Sequence, residues 1–437
     1  MKKQLKLTAA AVAAVMAFSL TACGGGTGSS GSSSQAAGTG TGETGTGEKV
    51  TIKFANYALL EDAYTEFWEG VKSGFEAENP DITIEWVTAP YADIVSTVTT
   101  MAGGGDKVDM IFGEGTWTSS LVDSGLVIPV TDVLSQDYLD QFYENSLEAS
   151  TVDGEIYTLP MYMSPFILYY NTDILEKAGV ESVPTTYDEL LAACEKISGM
   201  TTEDGNTIYP FAQTTASVAI SGSAINSMVY NFGGEVLTAD GQLSIDNDGF
   251  KQTFEMLKLL DEKGYSPENC KLKDLRNLFA LGQLAMYYDQ SWGISGVENI
   301  NPDIISVTAS ANPLAGGSGD GASLLSTQTL FYCDNGDANR AACAKLTEYL
   351  MSDEVLGDYL NNIVPAYPTL KTMSMPDNPV LQGSTSSIDK AVAAPSVPAM
   401  NDLNLELCTL AQAVTVTGTD VDTAIEEFRT AANNIIG

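Results

Sequence analysis

From residue 50 onward, short apolar runs alternate with amphipathic stretches, the pattern of an α/β chain built from strand-helix-strand units. Residues 50–55 read as a strand, and 65–78 as a helix with Phe67, Trp68, Val71 and Phe75 at helical spacing. Asn79-Pro80-Asp81 stops that helix, because proline cannot continue it and drives its predecessor towards extended geometry. Residues 82–87 form the next strand, 92–101 a helix, Gly103-Gly104-Gly105 a breaker and 108–112 a third strand. Strands joined by crossover helices imply a parallel sheet with right-handed connections, whose ligands sit beyond the carboxyl ends of the strands. Here those ends carry Asn56-Tyr57, residues 88–91, and Glu114 to Trp117. Trp68 and Trp86 fall on core-facing positions.

Beyond a turn at Val152-Asp153-Gly154-Glu155, the pattern predicts a strand pair, 156–160 and 166–170. Helices follow at 187–197, 223–232 and 249–263, strand character at 284–288, 304–307 and 324–332, a helix at 339–351, and a helical C-terminal stretch from 402 with a loop at 417–420. Asp240-Gly241 reads as a hairpin turn. Asp246-Asn247-Asp248-Gly249 lacks the spacing and closing glutamate of a calcium loop and reads as a helix cap. Gly103-Gly104-Gly105-Asp106-Lys107 lacks the spacing of a phosphate cradle.

The amino-terminal 49 residues depart from this pattern. Lys2, Lys3 and Lys6 precede an apolar run, 7–20, that is shorter than the roughly 20 residues a bilayer span needs, as in a signal peptide. The run ends in Leu20-Thr21-Ala22-Cys23, which resembles a bacterial lipobox, so 1–22 is expected to be a cleaved signal and Cys23 the lipidated first residue. Of residues 24–47, 20 of 24 are Gly, Ser or Thr, a composition that cannot bury apolar surface and behaves as a flexible coil. The expected organisation is a signal at 1–22, a lipidated tether at 23–49 and a two-lobed body.

Charge narrows the ligand. The chain carries 20 Lys and Arg against 57 Asp and Glu, a net charge of −37. Such a surface repels nucleic acid and anionic lipid, and offers few cations to a phosphorylated or carboxylated ligand. There is no histidine, which removes Ser-His-Asp and Cys-His machinery and histidine-liganded metal sites. After Cys23, five cysteines remain, at 194, 270, 333, 343 and 408, with no CxxC spacing. They read as small core hydrophobes, with Cys333 and Cys343 a candidate pair. No cofactor or metal is expected.

Several runs, in order, resemble one family. They are Phe75 to Ile82; Val108-Asp109-Met110-Ile111-Phe112 and the segment to Val127; Asp153 to Pro160; Leu168-Tyr169-Tyr170-Asn171-Thr172-Asp173-Ile174-Leu175; Pro184-Thr185-Thr186-Tyr187-Asp188-Glu189-Leu190; and Phe279 to Met286 leading to Trp292. Their order is similar to that of the extracellular solute-binding proteins of ABC importers, in the carbohydrate-binding group that resembles maltose-binding protein. The resemblance implies an α/β, two-lobed periplasmic-binding-protein-like fold with three hinge crossings, near Tyr162, Ser306 and Val364. The lobes would comprise 50–162 with 306–364, and 163–305 with 365–437. It implies capture of a small-molecule solute, a sugar or oligosaccharide, by lobe closure, and delivery by a monomer to separate permease subunits at the outer face of the cytoplasmic membrane. No nucleic acid partner and no chemical transformation are expected. The alternatives are a peptide or polyamine in the same transport role, and a secreted glycoside hydrolase.

A sugar cleft needs flat aromatic faces interleaved with hydrogen-bonding groups. The strand ends supply Asn56, Tyr57, Glu114 and Trp117. The resemblance adds Tyr162 and Ser164 at the first crossing, Asp289 and Trp292 after the strand-like 284–288, and Tyr367 past the third. Where better-known members carry an acidic-basic pair after the third strand, this chain has Thr116 and Trp117.

Overall fold

A computed structural model describes Lys49 to Gly437 apart from Ser396 and Pro398. The expected signal, Cys23 and the tether lie outside the described residues. The first expected strand is β1 (Val50–Asn56), and α1 (Asp62–Glu78) presses Trp68, Val71 and Phe75 onto it, each at most 3% exposed. Burying a side chain of that size stabilises by about 1.5–3 kcal/mol. α1 ends where expected: Asn79 Nδ2 donates to Phe75 O at 3.1 Å, just before Pro80. β2 (Ile82–Val87), α2 (Ile94–Gly103) and β3 (Met110–Glu114) complete the opening unit. β2 and β3 both lie parallel to β1, so Phe54 stands beside Trp86 on one side and Met110 on the other.

The turn at 152–155 is a tight hairpin between Thr151–Val152 and Glu155–Ile156, with Asp153 and Gly154 both at positive φ (51° and 84°), as two-residue hairpin loops require. The strand pair expected after it is instead one fourteen-residue strand, β4 (Thr158–Asn171). Pro160 and Pro165 suggested an interruption. The chain absorbs Pro160 in a bulge, because Gln328 faces Tyr162 while Thr329 faces Pro160, leaving Met161 unmatched. Thr369 Oγ1 then donates to the carbonyls of Pro160 and Met161 at 2.6 and 3.0 Å.

The remaining strands are β5 (Tyr209–Ala212), β6 (Leu284–Gln290), β7 (Thr308–Ala311) and β8 (Ser323–Tyr332). The main path through the sheet runs β2-β1-β3-β8-β4-β6-β5, with β7 on β4. Two large cores result. One surrounds β1, β3, Leu159 to Tyr162 and α8 (Asp337–Leu350). The other gathers α3 (Tyr187–Ile197), α4 (Ala219–Asn231), α5 (Asp248–Glu262), α9 (Met400–Thr415) and α10 (Val421–Ile436). Between α5 and α9 come α6 (Leu272–Ala280) and α7 (Gly293–Ile300), which cover the β6 face that carries Tyr287.

Four expectations are corrected here. Residues 304–307 are helical, within a 3-10 turn at Pro302–Val307 that Asn301 caps, and the strand begins only at Thr308. Residues 308–311, expected in the first half, pair with 168–171, and Ala311 and Leu314 join the second core. Leu370 and Met373, expected in the second half, pack in the first core. Cys333 and Cys343 form no bond to each other; all five described cysteines are free, and burial pushes the Cys333 thiol up to about 12.

Candidate functional site

The ends of β1 and β3 converge as expected, and the loop after β2 joins them. Tyr57, Tyr91 and Trp117 form a three-ring cluster with centroid separations of 5.1, 5.3 and 6.0 Å. The Tyr57 ring is stacked on Phe112 at 5.5 Å, which ties the cluster to the first core. Trp117 closes over Gly113, where a Cβ would stand 2.4 Å from the indole, so only glycine fits beneath the ring. Tyr57 and Trp117 are 9% exposed and Tyr91 is 44% exposed, which makes Tyr91 the open rim.

Glu114 sits within this aromatic wall. Its Oε2 accepts from Tyr91 Oη at 2.7 Å and Thr116 Oγ1 at 3.4 Å, and its Oε1 accepts from Gln328 Nε2 at 3.1 Å. Gln328 Oε1 in turn accepts from Tyr57 Oη at 2.9 Å. Burial raises the Glu114 carboxyl above the usual carboxylate range, while the bonds from Tyr91, Gln328 and Thr116 pull it back. Burial, and then the Glu114 charge, hold the Tyr57 phenol well above its ordinary value.

A second aromatic group lies beside the first. Tyr162 meets Trp292 edge-on at 5.9 Å and Tyr359 at 5.8 Å, and Tyr359 continues to Tyr64 at 6.4 Å. Trp292 precedes α7 and packs against the first core, so it reaches across from its own half of the chain. Ser295 Oγ, near it, donates to Ile363 O at 3.4 Å.

The other expected site residues are enclosed by the protein itself. Asn56 is fully buried; its Oδ1 accepts from Ala58 N at 2.9 Å, and its Nδ2 has no partner among the described residues. Ser164 Oγ accepts from Ser291 N at 2.6 Å and donates to Pro165 O at 2.7 Å, joining β4 to the end of β6. Asp289 is fully buried and holds Arg276 through two bonds, Nε to Oδ2 at 2.7 Å and Nη2 to Oδ1 at 2.9 Å. Tyr367 is 1% exposed, with its hydroxyl 2.7 Å from Ser384 Oγ. The structure therefore brings together Tyr57, Glu114 and Trp117 in one group and Tyr162 and Trp292 in the other. Asn56, Ser164, Asp289 and Tyr367 brace the frame around them.

Sequence reasoning did not single out Tyr64, Tyr91, Gln328 or Tyr359. Tyr91 lay within the strand-end residues 88–91, and Gln328 belongs to the polar run Ser326-Thr327-Gln328-Thr329 between the apolar ends of β8, which is a readable signal. Tyr64 and Tyr359 carry no local signal, because they meet only through tertiary packing. Among the described residues, no group of three or more His, Cys, Asp or Glu side chains is arranged to hold a metal ion. No described helix is long and apolar enough to cross a membrane.

The profile of the bacterial extracellular solute-binding protein family matches residues 70–382. A binding protein of Brucella abortus (strain 2308) is 28% identical over 247 residues, covering 54% of this chain and 57% of the relative. The maltotriose-binding protein of Pyrococcus abyssi is 23% identical over 243 residues, 54% of this chain and 49% of the relative. The chain thus spans about half the length of the curated relatives it matches. Among solved structures, an ABC transporter solute-binding protein of Thermotoga lettingae bound with α-D-tagatose superposes with a TM-score of 0.74 at 25% identity, over 89% of this chain and all of that one. The cyclic α-maltosyl-1,6-maltose binding protein of Arthrobacter globiformis gives a TM-score of 0.76 at 18% identity, over 88% of this chain and 98% of that one, a likeness of fold.

Proposed function

Because the chain belongs to the bacterial extracellular solute-binding protein family, we propose that it captures a neutral carbohydrate outside the cytoplasm for an ABC importer. The observation that carries the reading is the Glu114 carboxylate, held by Tyr91 and Gln328 inside a wall formed by Tyr57, Tyr91 and Trp117. Ring faces of a sugar stack on such aromatic surfaces, and a fixed carboxylate accepts from its hydroxyls. Arg276, whose charge acts on Tyr64, is held by Asp289 through two bonds, so its guanidinium is committed within the protein and not offered to a phosphate. Solved relatives bound to tagatose and maltose support the ligand class.

In this reading, ligand bridges the first group on one lobe and Trp292 on the other, its contacts to both offset the cost of closure, and the closed form docks on permease subunits. The crossings between lobes would lie along β4, along β8 and beyond Val364. Cys23 would carry the lipid anchor after removal of 1–22, with the Gly/Ser/Thr-rich tether letting a monomeric body turn freely at the membrane face. The protein would bind its solute without transforming it.

The test is a thermal-shift screen of neutral mono- and oligosaccharides, peptides and polyamines, followed by tryptophan fluorescence. A sugar at 100 times its dissociation constant should add about 2.7 kcal/mol of stability. It should also change the fluorescence and be recovered intact. A shift with peptides or polyamines but with no sugar would overturn the ligand class, and a hydrolysis product would overturn the binding role.

A further inference from the structure

Trp292 stands immediately before α7, and the first turn of that helix rests on the Arg276–Asp289 pair. A Cβ on Gly293 would stand 2.1 Å from Asp289 Oδ2 and 2.4 Å from its Cγ, so the carboxylate lies directly against the backbone of the residue after Trp292. One turn on, a Cβ on Gly296 would stand 3.2 Å from Arg276 Cδ and 3.7 Å from its Nη1. Residues three apart share a helix face, so α7 turns a face without side chains onto both members of the pair.

The carboxylate beneath that face is itself held in one direction. Arg276 grips both of its oxygens in a fork, at 2.7 and 2.9 Å, and Gln290 N donates to Oδ1 at 2.8 Å. A forked contact between guanidinium and carboxylate fixes orientation as well as distance, which a lysine ammonium does not. The chain before Trp292 is fixed separately, by β4: Ser291 N donates to Ser164 Oγ at 2.6 Å, and Ser291 O accepts from Tyr169 Oη at 2.8 Å. The guanidinium is also near enough to the second aromatic group for its charge to act on Tyr64. Stability alone does not account for the pair, because well-packed apolar side chains of similar volume often match or exceed a buried ion pair. What the fork adds is a single direction for the group that α7 sits on.

We propose that Arg276 and Asp289 are positioning residues for Trp292: the pair seats the first turn of α7 through Gly293 and Gly296 and thereby sets where the indole points. Its bearing on solute capture rests on the reading of Trp292 as the ring that the second lobe offers to the sugar. Given that reading, the pair tunes a ligand-facing surface without belonging to it, and a change in the seat of α7 alters the surface while every ligand-facing side chain stays the same.

The test is 19F NMR of the full chain carrying 5-fluorotryptophan at its four tryptophans, each line assigned by single replacement with phenylalanine. Three variants are compared with the wild type below their melting temperatures: Arg276→Lys, which keeps the charge and loses the fork; Asp289→Asn, which keeps the shape and loses the charge; and Gly293→Ala, whose Cβ displaces the carboxylate. They act on different members of the contact, so the result does not hang on any one of them folding. In each the Trp292 line should shift or broaden, while the lines of Trp68 and Trp86, which pack in the first core, keep their positions. Glu298→Gln, at the exposed far end of α7, should move no line. A pair that only adds stability would lower Tm in the variants and leave all four lines in place. An unmoved Trp292 line in the folded variants, or equal movement of all four lines, overturns the proposal. The lines are read without ligand, so failure to bind any sugar would refute the transport reading and leave this one standing.

Discussion

Arg276 and Asp289 form a pair whose two members are unequally buried, and the inequality fixes the order of two mutational costs. Asp289 is fully enclosed, whereas 24% of the Arg276 side chain remains accessible. Breaking a buried ion pair costs about 3–5 kcal/mol, mostly because the surviving charge is left without a partner. Arg276→Met leaves the Asp289 carboxylate where water cannot reach it, so its cost should sit near the upper end, about 5 kcal/mol. Asp289→Asn keeps the shape and one acceptor, and the arginine left behind recovers part of its hydration, so about 2 kcal/mol is expected. The double variant should be more stable than Arg276→Met alone, since it strands no carboxylate. Urea unfolding followed by tryptophan fluorescence and circular dichroism measures all three, coincident curves marking a single transition. With m of about 3 kcal/mol per molar, the midpoints should fall by about 1.7 and 0.7 M respectively. Equal costs, the reverse order, or a double variant at the sum of the singles would refute the argument from unequal burial.

Tyr91→Phe removes a 2.7 Å bond to a carboxylate, a class worth about 1.5–3 kcal/mol, so chemical denaturation should show a loss at or below the lower end of that range, because Tyr91 stands on an exposed rim where water screens the bond. Asn247→Ala takes away the N-cap of α5, whose Oδ1 accepts from Phe250 N at 2.7 Å, together with two bonds from Nδ2 to the carbonyls of Glu235 and Ser244; a loss near 2 kcal/mol, the upper end of the usual about 0.5–2, is expected by chemical denaturation. The Glu114 carboxyl is raised on folding, so its contribution to stability is present at low pH and is lost as pH rises from its unfolded value, about 4.3, through its higher folded value. The stability of the wild type relative to Glu114→Gln should therefore decline from pH 4 towards neutrality, and a flat difference across that range would contradict the burial of this group.

The elements with a one-sided apolar face were readable to within a few residues. α3 and β2 have the limits that periodicity gave them, and the parallel arrangement of β1, β2 and β3 follows from the helices between them. α4 was expected four residues late because it is buried nearly all round, with Ser221, Gly222, Asn226 and Ser227 as enclosed as Ile225 and Val229, so its sequence has no polar stripe to mark the period. The unity of β4 was hidden by its prolines, since a bulge is decided by the partner strand, which a local window does not contain. The site divided along the same line. Tyr57, Glu114 and Trp117 belong to strand ends, which topology makes predictable, and they meet. Asp289 and Ser164 have the right chemistry at the right depth in the sequence, but their polar atoms are consumed by Arg276 and Ser291, partners 13 and 127 residues away. Asn247, between two aspartates that mimic an ion loop, serves as the cap that its position before an amphipathic helix indicated.

β4 hydrogen-bonds to β8 along residues 158–165 and to β6 and β7 along 166–171, so a single backbone segment is an inner strand for both halves of the molecule. Neither half can be expressed as a clean fragment: wherever the chain is cut, one product keeps the strand and the other exposes a raw edge where it used to lie. The amides of β4 should accordingly be among the last to exchange with solvent deuterium, opening only when the molecule as a whole unfolds. Proteolytic nicks in the surrounding loops should leave two pieces that stay together until that strand is released.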